Sequence, residues 1–267
     1  MQDSGHALST EQRGKVLLVT IDRPDKRNAL NAAAILELER LVSAPPAQVG
    51  CIAVVGAGVN FSAGLDLGEL VVRDTAACLK HSRLWHRCMD AVQYAAVPVV
   101  AAMHGAVIGG GLELAAAAHI RVADATTYYA LPEAARGLFV GGGGSVRLPR
   151  LMGVARMTDM MLTGRVIEAE EGQAVGLSQY LVAAGEAVGT ALKLAGRISE
   201  NTLLTNFAVT HVLPRIAESS SDAGFVTEAL IASLAQSDTQ AKERLHRFLN
   251  GEAPRVKPAP RTAGGGL

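Results

Sequence analysis

Gly109-Gly110-Gly111 stands immediately before Leu112-Glu113-Leu114, a short way after the apolar run of residues 98–103. Glycine adopts positive φ at little steric cost and lets a ligand come close to the backbone. A helix opening here would present unpaired N–H groups and a partial positive charge. Such an end can hold an anion, or an oxygen that becomes negative during a reaction. A plain strand–helix turn, with glycines for packing, explains the same segment equally well. Glu113 is similarly ambiguous. In the first helical turn it complements the dipole, an effect of about 0.3–1 kcal/mol. Its neighbours from Leu112 to Ala118 are otherwise apolar, and an unpaired buried carboxylate is costly. Catalysis and structural pairing are the two explanations, and the segment alone does not separate them.

Other chemistries fit the sequence poorly. Gly56-Ala57-Gly58 begins like the dinucleotide pattern G-x-G-x-x-G, but Phe61 takes its sixth position and no helix is expected to start there. The triple glycine lacks the later acid that reads a ribose. No Walker A pattern occurs. Gly143-Gly144-Ser145-Val146-Arg147 departs from the G-x-S-x-G nucleophile elbow at its last position. His81 and His86 lack the i, i+4 spacing of a helical ligand pair, so no metal site is expected.

The elements that must carry these residues alternate between two periodicities. Residues 15–21, 51–55, 98–103, 120–123 and 127–130 are short, apolar or β-rich runs that read as strands. Helical spacing appears over 29–42, 75–95 and 112–118, then over 150–163, 169–175 and 185–197. Further helices are expected over 209–218, 227–236 and 239–249. The order predicts an α/β core over residues 12–185 and a helix-only module over 186–250, with loose tails at 1–11 and 251–267.

The chain has 267 residues, 25 basic and 25 acidic, for a formal net charge of zero. No global field argues for nucleic acid or a membrane surface. Residues 1–14 lack a signal-peptide pattern, and no apolar run reaches the roughly 18 residues of a membrane span. Cys51, Cys78 and Cys88 are odd in number and unpaired in spacing, which predicts no disulfide framework and a reducing, cytoplasmic setting.

Three segments taken together resemble the crotonase (enoyl-CoA hydratase/isomerase) superfamily. They are Arg23-Pro24-Asp25-Lys26-Arg27-Asn28-Ala29-Leu30, Phe61-Ser62-Ala63-Gly64-Leu65-Asp66-Leu67, and Pro98-Val99-Val100-Ala101-Ala102 through to Gly109-Gly110-Gly111-Leu112-Glu113-Leu114. Leu131-Pro132-Glu133 and Met161-Leu162-Thr163-Gly164-Arg165 fit the same pattern. Each is weak alone; their order and spacing are specific. The resemblance implies an α/β fold, a spiral of ββα units followed by a C-terminal helical module that packs homotrimers, often paired into hexamers. It also implies an acyl-CoA thioester substrate and no cofactor, since coenzyme A is part of the substrate.

By position, the backbone N–H groups of Leu65 and Gly110 would form the oxyanion hole. Lys26, Arg27, Asn28 and Ala29, with Ala63, Gly64 and Asp66, would lie in the CoA-binding segments. Glu113 and Glu133 match the two glutamates of the hydratases, placed about twenty residues apart, and the resemblance makes them an acid–base pair. Gly141 would line the same pocket and help seat water, although its four-glycine run reads equally well as a flexible turn. The reaction implied is hydration of a trans-2-enoyl-CoA to a 3-hydroxyacyl-CoA. A hydratase-lyase or Δ3,Δ2-isomerase reaction, or a non-catalytic CoA-binding subunit, are the alternatives.

Several residues depart from the family pattern. His119 stands where Asp is common, so a structural pairing should differ. Tyr128-Tyr129 lie close before Glu133, where either phenol can reach an acyl pocket or simply pack in the core. Gly137-Leu138-Phe139-Val140-Gly141 replaces a smaller or proline-containing loop and can reshape the pocket, as can residues 70–94. The 240–249 helix lacks the glycine–aromatic pattern often seen near this C-terminus, which weakens any role for it in CoA contact.

Overall fold

Strands Val16–Ile21 (β2), Cys51–Gly56 (β3) and Val99–Met103 (β4) are apolar along both faces and pair in parallel. Continuous apolar runs of this kind suit strands covered on both sides. Ile120–Asp124 (β6) and Tyr180–Val182 (β9) extend the sheet in parallel, and Leu8–Arg13 (β1) adds an antiparallel edge, giving the order β1-β2-β3-β4-β6-β9. The computed structural model describes residues 7–69, 71 and 74–252.

Alternation along the strands decides which helices cover which face. Leu17, Val19 and Ile21 of β2, Ile52 and Val54 of β3, and Val99, Ala101 and Met103 of β4 join one core. That core is shared with helices Ala32–Ser43 (α1), Thr75–Gln93 (α2) and Gly110–Ala117 (α3). The intervening residues Val16, Leu18, Cys51, Ala53, Val55, Val100, Ala102 and Val122 face Ala187, Ala191 and Ala195 of helix Ala187–Ile198 (α7). Alanine at every fourth position of α7 leaves no side chain to hold the helix off the sheet.

A second layer runs through short pairings that each follow a main-sheet strand. Leu30 bridges Leu65, Ser62 bridges Val107, and Ala106–Ile108 (β5) pairs with Tyr128–Ala130 (β7), all in parallel. Ile167–Glu168 (β8) closes the layer against β7 in antiparallel register. The repeated order of strand, short second strand and helix is the ββα spiral that the family resemblance implies.

Gly144–Met152 (α4), Val154–Thr163 (α5) and Ala169–Ala174 (α6) follow β7, and Leu203–Phe207 (α8) follows α7. The chain divides into two compact units, one up to His211 and one from Val212. Helix α7 thus lies with the core, whereas the sequence boundary at 185/186 groups it with the terminal helices. The second unit contains Leu213–Glu218 (α9), Ser221–Ser237 (α10) and Thr239–Leu249 (α11).

Local differences from the sequence reading have local causes. β1 occupies residues assigned to a tail, joined to β2 by a two-residue hairpin in which Gly14 has φ 59°. Residues 1–6 and 253–267, most of the expected tails, lie outside the described residues. α1 begins at Ala32 because Leu30 is taken by the Leu65 bridge, and the Asn31 side chain caps the helix on Ala34 N–H at 2.9 Å. The helix expected over 150–163 is two helices, divided at Gly153 with φ 85°.

His119 is held by neutral hydrogen bonding. Its Nδ1 accepts from Val99 N–H at 2.9 Å, which leaves Nε2–H to donate to Gln93 O at 3.0 Å. Burial pushes its pKa down to about 4, with His211 and Arg121 adding to the effect. Between about pH 6.5 and 4 the unfolded chain therefore takes up a proton that the fold resists, and stability falls as pH drops. In His119→Asn the loss of Tm between pH 6.5 and 4.5 should be smaller than in the wild type. Equal losses in both proteins would show that His119 does not set the acid response.

Candidate active site

Two loops place a pair of backbone amides side by side. The segment after β3 is tied to the one after β2 by Leu30 N–H to Gly64 O at 2.7 Å and Asp66 N–H to Leu30 O at 2.8 Å. These bonds face away from Leu65 N–H. Gly110 is the first residue of α3, where a helix has no partner of its own for its N–H. Among the described residues, neither the Leu65 nor the Gly110 N–H donates within the chain. A Cβ placed on Gly110 would lie 3.5 Å from Leu65 N, and one on Gly64 would lie 2.9 Å from Gly110 N. The two donors are close neighbours.

The loop geometry depends on a buried ion pair. Arg23 Nη2 meets Asp66 Oδ2 at 2.7 Å while Arg23 Nη1 donates to Ala29 O at 2.7 Å. Burial pushes the Asp66 carboxyl upward, but Gly68 N–H and the Arg23 guanidinium outweigh it and hold the carboxyl below its ordinary range. Asn28, fully buried at φ 56°, accepts from Arg23 N–H and donates to Ala57 O and Asn60 O.

Glu113 sits in the first turn of α3 at 4% exposure. Its Oε1 accepts from Gly142 N–H and Gly144 N–H, each at 2.8 Å. Even so, burial pushes its pKa up to about 7, and the Glu133 charge adds to the rise against the two amides and Arg147. Burial also raises Glu133, opposed by its own backbone N–H and by Arg136. Its Oε2 is buried without a protein partner among the described residues.

Glycines make the room for both carboxyls. A Cβ on Gly142 would come within 2.8 Å of Glu113 Oε2, and one on Gly144 within 2.8 Å of Oε1. At Gly109, where φ is 52°, a Cβ would stand 2.6 Å from Glu133 Oε1. Any larger residue at these positions would push a carboxyl out of place.

Helix α2 holds the glycine loop from the other side. Ser82 donates to Gly141 O at 2.6 Å. Arg147 of α4 bonds Gln93 Oε1 at 2.6 Å and Asp90 Oδ1 at 2.5 Å, and its Nη1 reaches Gly142 O at 3.3 Å. Cys78, His81, Ser82 and Trp85 fall at i, i+3, i+4 and i+7, one helical face, and all four line a cavity of about 380 Å³. Ala63, Leu65, Gly110, Glu113, Glu133 and Gly141 line the same cavity, and Leu138, Phe139 and Val140 form an apolar wall. Two N–H donors and two carboxyls of raised pKa therefore share one small space. That combination can stabilise a developing oxyanion while a proton is moved.

Of the residues singled out from sequence, Leu65, Gly110, Glu113, Glu133, Gly141 and Ala63 meet at the cavity. Lys26, Arg27, Asn28 and Ala29 are brought beside Ala63, Gly64 and Asp66 by the Leu30–Leu65 bridge. The Asn28 and Asp66 side chains are committed to protein partners, while Lys26 and Arg27 are exposed. Tyr129 is fully buried in the core, and neither it nor Tyr128 lines the cavity. The 137–141 loop does shape it. Trp85, Ser82 and Arg147 are absent from the sequence reading of the site. The i, i+3, i+4, i+7 face of α2 is visible in the sequence, but nothing local ties it to the glycines.

Comparison with known proteins agrees with the geometry. The family model for enoyl-CoA hydratase/isomerase matches residues 11–257. The 2,3-dehydroadipyl-CoA hydratase of Escherichia coli is 31% identical over 254 residues, covering 94% of this chain and 98% of that protein. The short-chain-enoyl-CoA hydratase of Clostridium acetobutylicum is 32% identical over 194 residues, 72% of this chain and 74% of that one. A solved structure of a provisionally named enoyl-CoA hydratase from Rhodopseudomonas palustris superposes with a TM-score of 0.90 at 54% identity, covering 92% of this chain and 95% of that one. The cavity, the spiral that builds it and these relatives agree: the chain belongs to the enoyl-CoA hydratase/isomerase family.

Proposed function

We propose that the protein hydrates a trans-2-enoyl-CoA to the 3-hydroxyacyl-CoA. The observation that carries this reading is the pair of buried carboxyls, Glu113 and Glu133, facing the same cavity as the Leu65 and Gly110 amides. The thioester oxygen would accept from the two N–H groups. Water oxygen would add to the β-carbon as one carboxylate takes its proton, and the α-carbon would receive a proton from the pair. Charge on the thioester oxygen grows in this step, and one oxyanion donor is worth about 2.7–4 kcal/mol there. The glutamates act as a coupled pair, so acid and base are roles of the dyad. Gly141 would help seat the water. Lys26, Arg27, Asn28, Ala29, Ala63, Gly64 and Asp66 would form the CoA-binding edge, and no cofactor beyond CoA is needed.

Exposed apolar residues support self-association in a homotrimer or a hexamer of paired trimers. Phe225, Val226, Leu230 and Leu234 of α10, and Leu245, Phe248 and Leu249 of α11, are all more than half exposed. Light scattering should give a trimeric or hexameric mass that falls in Phe225→Glu/Leu230→Glu. A wild-type monomer would refute the assembly.

Activity follows from loss of conjugated thioester absorbance with crotonyl-CoA and with cinnamoyl-CoA. Glu113→Gln and Glu133→Gln should each lower kcat by about 10²–10⁴-fold, the usual scale of acid–base catalysis. Near-full activity in both variants would rule out the mechanism. A wild type that binds CoA but is inert to every enoyl thioester would instead indicate a binding subunit.

Glu113 also makes a stability prediction of opposite sign to that of His119. Its folded pKa is about 7 against an ordinary 4.5, so the unfolded state releases a proton first and stability declines as pH rises through that window. Glu113→Gln keeps an acceptor for Gly142 and Gly144. The Tm of this variant minus that of the wild type should grow between pH 5 and 8. A difference independent of pH would remove Glu113 as the titrating group.

A further inference from the structure

One ring among the residues lining the cavity touches two of its backbone segments. Trp85 is 4% exposed and lies on the α2 face that lines the site. A Cβ built on Gly110 would stand 2.5 Å from Trp85 Cζ3 and 2.6 Å from Cη2. One built on Gly142 would stand 3.2 Å from Cε3. These three carbons are consecutive along the benzo edge. That single edge therefore rests on two backbones at once, the one that carries the Gly110 N–H and the one whose Gly142 N–H holds Glu113.

We infer that Trp85 is a positioning residue, a rigid wedge that sets the Gly110 amide and the Gly142–Glu113 hydrogen bond relative to each other. This inference rests on the reading of the cavity as an enolate-stabilising site.

Three observations support it. Indole is planar, so its edge holds a fixed width between the two glycines, whereas a leucine could adjust by rotamer. The indole Nε1 lies on the ring edge away from these contacts and has no protein partner among the described residues. No protein hydrogen bond explains the choice of tryptophan at this buried place, and the shape of the ring does. Finally, α2 is itself fastened to the loop on both sides of Trp85, by Ser82 to Gly141 O and by the Asp90 and Gln93 bonds to Arg147. The wedge cannot back away.

The Trp85–Gly110 contact gives a test that ordinary destabilisation does not mimic. Gly110 has no positive φ, so alanine is conformationally allowed there. The methyl would stand an ordinary 3.5 Å from Leu65 N, so the ring is the close obstacle. Trp85→Leu, Trp85→Phe, Gly110→Ala and the two combined variants, each with Gly110→Ala, would be assayed with crotonyl-CoA alongside Tm.

Trp85→Leu should lower kcat by about 10- to 100-fold with KM little changed, the scale expected of a misplaced catalytic group. Trp85→Phe should recover part of the loss. Gly110→Ala should cost much more kcat in the wild-type background than in the Trp85→Leu background, where the ring no longer blocks the methyl. If Trp85→Leu fails to fold, the Trp85→Phe background, which lacks the Cζ3–Cη2 edge but keeps a ring, should show the same relief in smaller degree. Equal costs of Gly110→Ala in both backgrounds, or Trp85 effects confined to KM or Tm, would overturn the inference while the hydratase reading stands. A wild type inert to enoyl thioesters would remove the reaction, and this inference with it.

Discussion

A carboxyl buried in an apolar helix start is the constraint around which the site is organised. Glu113 is surrounded by Leu112, Leu114 and a run of alanines, and a charge in such a place is costly unless it is paired. Among the described residues, its hydrogen-bond partners are not cations but two backbone N–H groups, from a loop about thirty residues further on. Those amides can approach only because residues 142 and 144 have no side chain to obstruct them. Two opposing influences then leave the carboxyl poised: burial raises its pKa and the amides lower it, with burial stronger.

The glycine loop has little to hold itself in shape, and the burden passes to α2 and α4. Ser82 fixes Gly141, Arg147 fixes Gly142, and Arg147 is fixed by Asp90 and Gln93. On the far side of the cavity, the Arg23–Asp66 pair performs the comparable task for Leu65. Both halves follow one rule: the polar groups that face the cavity are backbone amides and carboxyls, and the arginines near them act as braces. Arginine suits that work, since its planar fork bonds several acceptors in a fixed geometry.

Much of the site is legible in the sequence because its chemistry is concentrated in short ordered segments. The turn before Glu113, the Ala63–Asp66 stretch and Pro132-Glu133 can be read in place, and the structure draws them together. The bracing is not legible. Arg147 stands out in the sequence only where the nucleophile elbow fails to match, and Trp85 sits in a helix whose relation to the glycines depends on distant pairing. Parts of the fold are hidden for a different reason. β5, β8 and β9 span two or three residues, too few to show a period, and β1 is polar along most of its length. The four-glycine run reads as a turn, which conceals that α4 begins within it at Gly144.

The bond from Arg147 to Asp90 spans 57 positions of chain, and it lies between the glycine loop and the helix opposite. If that loop swings outward, Glu113 loses both amides but gains water, and water favours its charged form. Any opening of the loop that wets Glu113 is therefore coupled to release of its proton. The closed loop thus keeps Glu113 away from the water that would favour its charge.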